Sequence, residues 1–559
     1  MEELRRFCMS FLLFTLLYIS PSFVHSRSLV VETHKKTTLL DITASIQKTI
    51  DVVSASKPET TIQNTFLQQE TTFSEFSSSS SSSSSKSFTL ELHSRDSLHS
   101  SSHKDYKTLI KSRLERDSAR VRSLNTKLDL AVNGIKKSDF KPVETTLEQS
   151  LMTEEGGKSK TELEGPIISG TSQGSGEYFS RVGIGRPPKP LYMVLDTGSD
   201  VTWVQCSPCT DCYQQTDPIF EPSSSSSYSQ IMCNTDTCQA LDVSACRAGV
   251  CLYQVSYGDG SYTVGDFVSE TLTFGNSSSV NNVSLGCGHD NEGLFVGSAG
   301  LLGLGGGSLS FPSQLKTESF SYCLVDRDSS STSTLDFGSS SELNVNNSVT
   351  TPLLRNNQLD TYYYLGLTGL SVGGEMLTIP PSAFEVDESG NGGIIIDSGT
   401  AVTRLKTDVY NSLRDAFVEG TQNLPTTSGV AIFDTCYDLS TMRSVDVPTI
   451  SLHFPGDKYI ALPAKNYLVP VDSAGTFCLA FAPTSSSLSI IGNIQQQGTR
   501  VTFDLVNSLV GFSASQCTPM GVLQYNFVQL LVLWAEILSR NIHLWTGDNL
   551  RVDSFGSWR

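Results

Sequence analysis

Two short motifs hold the side chains of this chain that could do chemistry as a pair. Asp196-Thr197-Gly198 closes the apolar run Leu191-Tyr192-Met193-Val194-Leu195, and 201 residues later Asp397-Ser398-Gly399 closes Ile394-Ile395-Ile396. A hydroxyl residue follows each, Ser199 and Thr400. A lone carboxylate at the end of a buried strand is costly, because desolvation penalises an unpaired charge. Two such ends brought face to face can share one proton and titrate as a pair. One carboxylate can then take a proton from water while the other, protonated, hydrogen-bonds a carbonyl oxygen. That chemistry hydrolyses a peptide bond with no metal, no cofactor and no covalent intermediate. A single Asp-Thr-Gly is weak, since such turns are common in loops; the repeat in matching context gives it weight.

Positioning the two carboxylates requires strands. From about Pro166 the chain is rich in Gly, Ser, Thr, Val, Phe and Tyr, with short alternating runs such as Tyr178–Ile184 and Ser269–Phe274. This pattern predicts an all-β domain. One helix is predicted after the second motif, Thr407–Glu419, where Val409, Leu413, Ala416 and Phe417 recur at helical spacing. Each Asp motif is followed by an apolar-Gly segment: Gly300-Leu301-Leu302-Gly303-Leu304-Gly305 comes 104 residues after Asp196, and Gly492, within Leu488–Asn493, comes 95 after Asp397. The repeat predicts two similar lobes, each giving one aspartate to a cleft between them, and a monomer, because the two lobes already complete the site.

The 559 residues suggest two or three units. Residues 1–26 read as a secretory signal: Arg5 and Arg6, then the apolar run Phe11–Leu17, then Val24-His25-Ser26. The apolar run is short for a membrane span. Residues 27–85, ending in the serine tract Ser77–Ser85, read as a disordered linker without a core. From Phe88 to about Lys141, Leu109, Leu114, Val121, Leu124 and Leu128 recur among charged residues and predict amphipathic helix. Gly156-Gly157 and the acidic run to Gly165 read as an exposed linker.

Charge is divided unevenly. Residues 86–141 hold 13 Lys/Arg against 7 Asp/Glu, a net of +6, and residues 166–520 hold 14 against 33, a net of −19. An acidic domain of this kind is a poor nucleic-acid partner. A basic segment lying on the acidic domain is the better reading.

Read together, Leu90-Glu91-Leu92-His93-Ser94-Arg95-Asp96, Arg113–Asp117, Gln173–Phe179, Asp196–Asp200, Tyr257-Gly258-Asp259-Gly260-Ser261 and Gly286-Cys287-Gly288-His289-Asp290 resemble the pepsin-type aspartic peptidases of the plant, nepenthesin-like branch. The resemblance covers about 430 residues and runs through Cys517. It implies a bilobal double β-barrel with the cleft between lobes. The expected divisions are a partly helical propeptide over 27–165, an N-terminal lobe over 166–350 with a Cys-rich insert, a C-terminal lobe over 351–519 and an atypical tail over 520–559. It makes Asp196 and Asp397 the catalytic dyad, with Tyr257 and the turn Gly258-Asp259-Gly260 on a flap over the substrate. Trp203 would support that tyrosine. Thr197 and Ser398 would exchange hydrogen bonds beneath the dyad, Ser199 and Thr400 would donate to its outer oxygens, and Gly198 and Gly399 would let the two backbones approach. Protein or peptide substrates follow, with activity in acid. The basic segment becomes an inhibitory propeptide that acid releases by protonating its carboxylate partners, with Lys136 or Lys137 reaching the dyad.

Of 13 cysteines, Cys8 lies in the signal and twelve remain, which in an exported chain favours disulfides. The resemblance implies Cys206–Cys209, Cys212–Cys287, Cys233–Cys251, Cys238–Cys246, Cys323–Cys517 and Cys436–Cys478. Asn276, Asn282 and Asn346 stand in glycosylation sequons. Export to the cell exterior is expected, with the endoplasmic reticulum or vacuole as alternatives.

Competing readings are weaker. Gly170-Thr171-Ser172-Gln173-Gly174 matches a serine-hydrolase elbow, but it precedes a strand where the motif must follow one. Cys206-x-x-Cys209-x-x-Cys212 could ligate zinc in a cytosolic protein. The serious rival is a binding protein on the same fold, such as an inhibitor of glycan-degrading enzymes that has lost catalytic groups; here Asp196, Asp397, Tyr257 and both hydroxyl pairs stand. A structural cell-wall glycoprotein would need proline repeats in the Ser-rich part. The apolar stretch Val528–Ala535 in the tail is below membrane-span length and leaves an appended helix, a surface anchor or a gene-end artefact open.

Overall fold

The computed structural model describes residues 36–55, 87–98, 104–133, 178–257, 261–275, 278–293, 295, 297–326, 328–329, 331–341, 343–345, 347–514 and 517. Residues 1–26, read as a signal, the serine tract, Lys136, Lys137, the pentapeptide 170–174, Gly258, Asp259 and Gly260 expected on the flap, Asn276, Asn346 and the tail 520–559 all lie outside the described residues. No helix among the described residues is long and apolar enough to cross a membrane.

The strand ending at Asp196, Lys189–Asp196, runs antiparallel to Tyr178–Ile184 and parallel to Gly300–Gly303, with Asp196 opposite Gly303. The strand before Asp397, Ile394–Ile396, runs parallel to Ser489–Ile491 in the same way. Each apolar-Gly segment of the sequence is thus the parallel neighbour of an aspartate strand. All three positions of Ile394–Ile396 are buried, which fits a strand covered on both faces and explains the unbroken apolar run. The fold is all-β and bilobal, as expected, with 20 of the described strands joined in one closed sheet. Helix Thr407–Glu419 forms with the predicted bounds and buries Val409, Leu413 and Phe417.

The N-terminal segment is part of this sheet. Phe88–Ser94 pairs with Ser333–Phe337, Phe88 opposite Phe337, and at its other end with Tyr178–Ile184, His93 opposite Phe179. Phe88, Leu90 and Leu92 are buried while Thr89 and Glu91 are exposed, the alternation of a half-buried strand. Phe88 stacks on Phe274 at 4.6 Å and on Phe337 at 5.0 Å between ring centroids. The predicted helical region therefore opens as a strand. Its long helix is Tyr106–Val132, capped where the Asp105 carboxylate accepts from the Thr108 N–H at 2.8 Å.

The expectation that residues 27–85 are coreless linker is corrected for 36–55. Thr37–Asp41 adds a strand to Ser444–Pro448, and helix Ile42–Ala55 follows, with Asp41 accepting from the Ala44 N–H at 2.8 Å. Leu40 and Ile42 enter the main core. The strand has too few apolar residues to signal itself, because its partner lies some 400 residues away in sequence.

All twelve cysteines are paired, which removes the zinc reading. Cys323–Cys517 and Cys436–Cys478 match expectation. The four pairs of the insert do not: they are Cys206–Cys287, Cys209–Cys212, Cys233–Cys246 and Cys238–Cys251. Strand order is the reason. Trp203–Gln205 runs parallel to Gly286–Gly288, which puts Cys206 beside Cys287 with Cα atoms 5.3 Å apart. The chain then continues to Asp211, opposite Asp290, so Cys212 has passed Cys287 and closes on Cys209 instead.

Candidate active site

Asp196 and Asp397 leave their strands toward each other and are buried, 3% and 1% exposed. Their supports are local. The Gly198 N–H donates to Asp196 Oδ1 at 2.9 Å and the Ser199 hydroxyl to Oδ2. Thr400 Oγ1 donates to Asp397 Oδ2 at 2.7 Å. Across the pair, the Thr197 hydroxyl donates to Asp397 Oδ1 at 2.9 Å, accepts from the Ser398 N–H at 3.1 Å and lies 3.3 Å from the Ser398 hydroxyl. Each aspartate backbone is tied to the apolar-Gly segment beside it: Leu304 N–H donates to Asp196 O at 2.8 Å, and Asp397 N–H donates to Ile491 O at 3.2 Å. The hydroxyls that follow the two aspartates hold one cross-braced pair.

Trp203 is fully buried, and its indole N–H donates to the Tyr257 hydroxyl at 2.8 Å. Phe295 packs edge-on against both rings, at 5.0 and 5.6 Å. The Tyr257 N–H donates to Ser261 O at 2.8 Å, continuing the antiparallel pairing of Val250–Ser256 with Tyr262–Phe274.

A group that sequence reasoning did not single out lies on the carboxylates. Arg120, in the long helix, is buried and donates from Nε to Asp397 Oδ2 at 3.1 Å and from Nη1 to Asp196 Oδ2 at 2.9 Å. Its Nη2 donates to Asp397 Oδ1 at 3.0 Å and also to Asp196 Oδ1. Gly198 and Gly399 make room for it: a Cβ on Gly198 would stand 2.4 Å from Arg120 Nη2, and one on Gly399 3.2 Å from its Cζ. The expected close approach at the glycines is thus one of side chain to backbone. Burial works against the Arg120 charge, but Asp196 and Asp397 outweigh it and raise its pKa well above the usual value. Burial likewise pushes Asp397 up, but the Arg120 charge and the donated hydrogen bonds pull it below the usual carboxylate value. The sequence signal for Arg120 is its place among Lys111, Arg113, Arg116 and Arg122, at four-residue spacing with Leu124 and Leu128.

Other contacts fasten the same helix. Leu124 and Leu128 pack with Tyr362, Tyr364 and Ile395, and the Tyr362 hydroxyl donates to Leu124 O at 2.9 Å. Arg113 donates to Asp96 at 2.7 Å and to Asp328 at 2.9 Å. From the shorter helix, Lys48 reaches Asp326 at 2.7 Å, and there too burial is outweighed by Lys48, so the Asp326 pKa is lowered.

Two domain models match, described as xylanase inhibitor N-terminal over residues 178–339 and xylanase inhibitor C-terminal over residues 362–514. Aspartyl protease family protein 2 of Arabidopsis thaliana is 51% identical over 457 residues, covering 79% of this chain and 88% of its own length. Aspartic proteinase nepenthesin-1 of Nepenthes gracilis is 41% identical over 408 residues, covering 72% and 92%. The crystal structure of edgp is similar at TM-score 0.52 and 20% identity, covering 63% of this chain and 94% of that one, a likeness of fold alone. A cross-braced aspartate pair between two lobes and relatedness across both make this chain a member of the nepenthesin-like plant branch of the aspartic proteases, a family of hydrolases.

Proposed function

We propose that the chain is the zymogen of an acid-active aspartic endopeptidase, with Asp196 and Asp397 as its catalytic dyad and residues 27–165 as its propeptide. One observation carries the reading: a guanidinium on the N-terminal helix donates to both carboxylates at once. It brings the two aspartates within reach of a single group and fills the space that water and a scissile carbonyl would need. Once Arg120 leaves, like charges this close cannot both ionise, so the pair holds one proton over a range of acid pH. The ionised member takes a proton from water as the water attacks, and the protonated member donates to the carbonyl oxygen. Tyr257, tied to Trp203, closes over the substrate from the flap.

Protein or peptide substrates are in keeping with the relatives named aspartic protease or proteinase. The inhibitor description of the matching domain models makes a non-catalytic binder the alternative. Against it stand both aspartates with their hydroxyl donors and the bonded Trp203–Tyr257 pair. Export is supported by the signal-like leader and the disulfide-bonded domain; the exposed Asn282 fits glycosylation there.

The test is proteolysis of a denatured protein substrate in acid, after the chain has been purified near neutral pH and acidified. A shortened active species, inhibited by pepstatin and abolished by Asp196→Asn or Asp397→Asn, is the expected outcome. No cleavage by shortened, disulfide-bonded wild type would move the reading to the binding protein.

A further inference from the structure

One carboxylate of the long helix has no part in blocking the dyad. Asp117, one turn before Arg120, is 1% exposed and points into the other side of the second aspartate loop. Its Oδ1 accepts from the N–H groups of Ala401, at 2.5 Å, and Val402, at 3.2 Å, and its Oδ2 accepts from Arg404 Nη2 at 2.5 Å. Two backbone amides and a guanidinium converging on one point make a strong carboxylate cradle, because charge-assisted and backbone donors act together.

The cradle is built without the helix. The carbonyls of Thr400 and Ala401 accept from the N–H groups of Asn493, at 2.7 Å, and Ile494, at 3.0 Å, which turns the Ala401 and Val402 donors the other way. Gln495 Oε1 accepts from the Thr403 hydroxyl at 2.6 Å, and Gln495 Nε2 is itself held by the carbonyls of Asn466 and Ala480. Arg404 is folded back by donating from Nη1 to Val402 O at 3.0 Å and is 4% exposed. When the helix departs, the two amide donors and Arg404 Nη2 lose their shared acceptor together and open to the cleft, where another carboxylate can take its place.

We infer that Ala401, Val402 and Arg404 form a carboxylate-binding subsite of the cleft. It holds Asp117 in the unprocessed chain and the side chain of an aspartate or glutamate of the peptide substrate afterwards. Ala401 is four residues past Asp397. Asp117 and Arg120 are separated by about 4.5 Å along the helix axis, a distance that an extended peptide covers in about one to two residues. The acidic residue of the substrate therefore lies close to the scissile bond. Beside the cradle, Leu114 packs with Val402, Val430, Phe433 and Val471, so an apolar side chain is accommodated next to the acid. This inference rests on the proposed zymogen reading, in which the helix leaves the cleft.

The test is kcat/KM of the acid-processed full chain on peptide pairs differing only by Asp/Asn or Glu/Gln, scanned over three positions on each side of the scissile bond. At about pH 5 the acidic member is largely ionised. One position should favour the acid over its amide by about tenfold or more. Arg404→Gln should bring that ratio close to one, and Arg404→Lys should restore part of it, because charge returns without the planar fork. Cleavage with no acid preference at any position overturns the subsite and leaves the peptidase reading standing. So does a preference that Arg404→Gln leaves intact. Cleavage of no peptide at all overturns both. The wild-type ratio decides even where a variant fails to fold.

Discussion

Arg120 donates to all four carboxylate oxygens of Asp196 and Asp397, and Gly198 and Gly399 are what let it lie so close. Removing one partner of a buried, hydrogen-bonded charge cluster costs about 3–5 kcal/mol, because the remaining charges are left uncompensated. Arg120→Gln should therefore loosen the helix from the cleft. The unshortened variant should cleave a peptide at a pH where unshortened wild type is silent, measured on protein whose length is checked by mass. A silent, full-length Arg120→Gln would show that other contacts of the helix suffice for latency. At this scale the sequence was clear about the aspartates and their hydroxyls, since motif spacing marks them. It pointed past Arg120 to Lys136 or Lys137, because residues 86–141 hold 13 basic side chains and only packing decides which one meets the dyad.

At the scale of elements, the helix Tyr106–Val132 buries Arg113, Asp117 and Arg120 along with Leu114 and Leu124. The leucines of this face mark an amphipathic helix in sequence, but the charged residues buried beside them read as solvent-facing, since their partners belong to distant segments. Strand Phe88–Ser94 differs: its alternation is regular, but the basic helical pattern downstream masked it. Because Phe88 sits between Phe274 and Phe337, Phe88→Ala should destabilise the unprocessed chain by about 3–5 kcal/mol through the cavity it leaves. A urea titration near neutral pH measures this, and a midpoint equal to that of wild type would mean the strand is not part of the cooperative core. The segment Thr37–Ala55 was missed for a related reason. Asp41 as a cap, followed by Ile42, Ile46 and Ile50 at four-residue spacing, was the signal available, but its strand pairs with Ser444–Pro448, which local sequence does not mark.

Across the whole molecule, two sets of carboxylates respond to acid with opposite sign. Asp397 and Asp326, against the N-terminal segment, have lowered pKa values, so the stability they contribute is present above the ordinary aspartate value of about 3.9 and is lost as pH falls through their depressed ones. Asp217 and Asp290, both in the domain beyond residue 177 and away from the N-terminal segment, have pKa values raised chiefly by burial. Their contribution is present in acid and is lost as pH rises through the raised values. Acidification should therefore release the segment while favouring the domain. Hydrogen exchange in 106–132 should quicken below the ordinary carboxylate range, without a matching rise in the strands around Asp196 and Asp397. Equal acceleration in both would contradict the opposed signs.

What the sequence determined alone was whatever depends on local order: strand-like alternation, the Thr407–Glu419 helix, the repeated Asp-hydroxyl-Gly turns and the twelve cysteines beyond Cys8, an even number. Tertiary structure decided which distant elements became neighbours. It chose Cys287 for Cys206, Ser444–Pro448 for Thr37–Asp41, and Arg120 for the dyad. Each of these is a contact between residues tens to hundreds of positions apart, whose partners are set by strand order and helix packing rather than by the residues beside them in the chain.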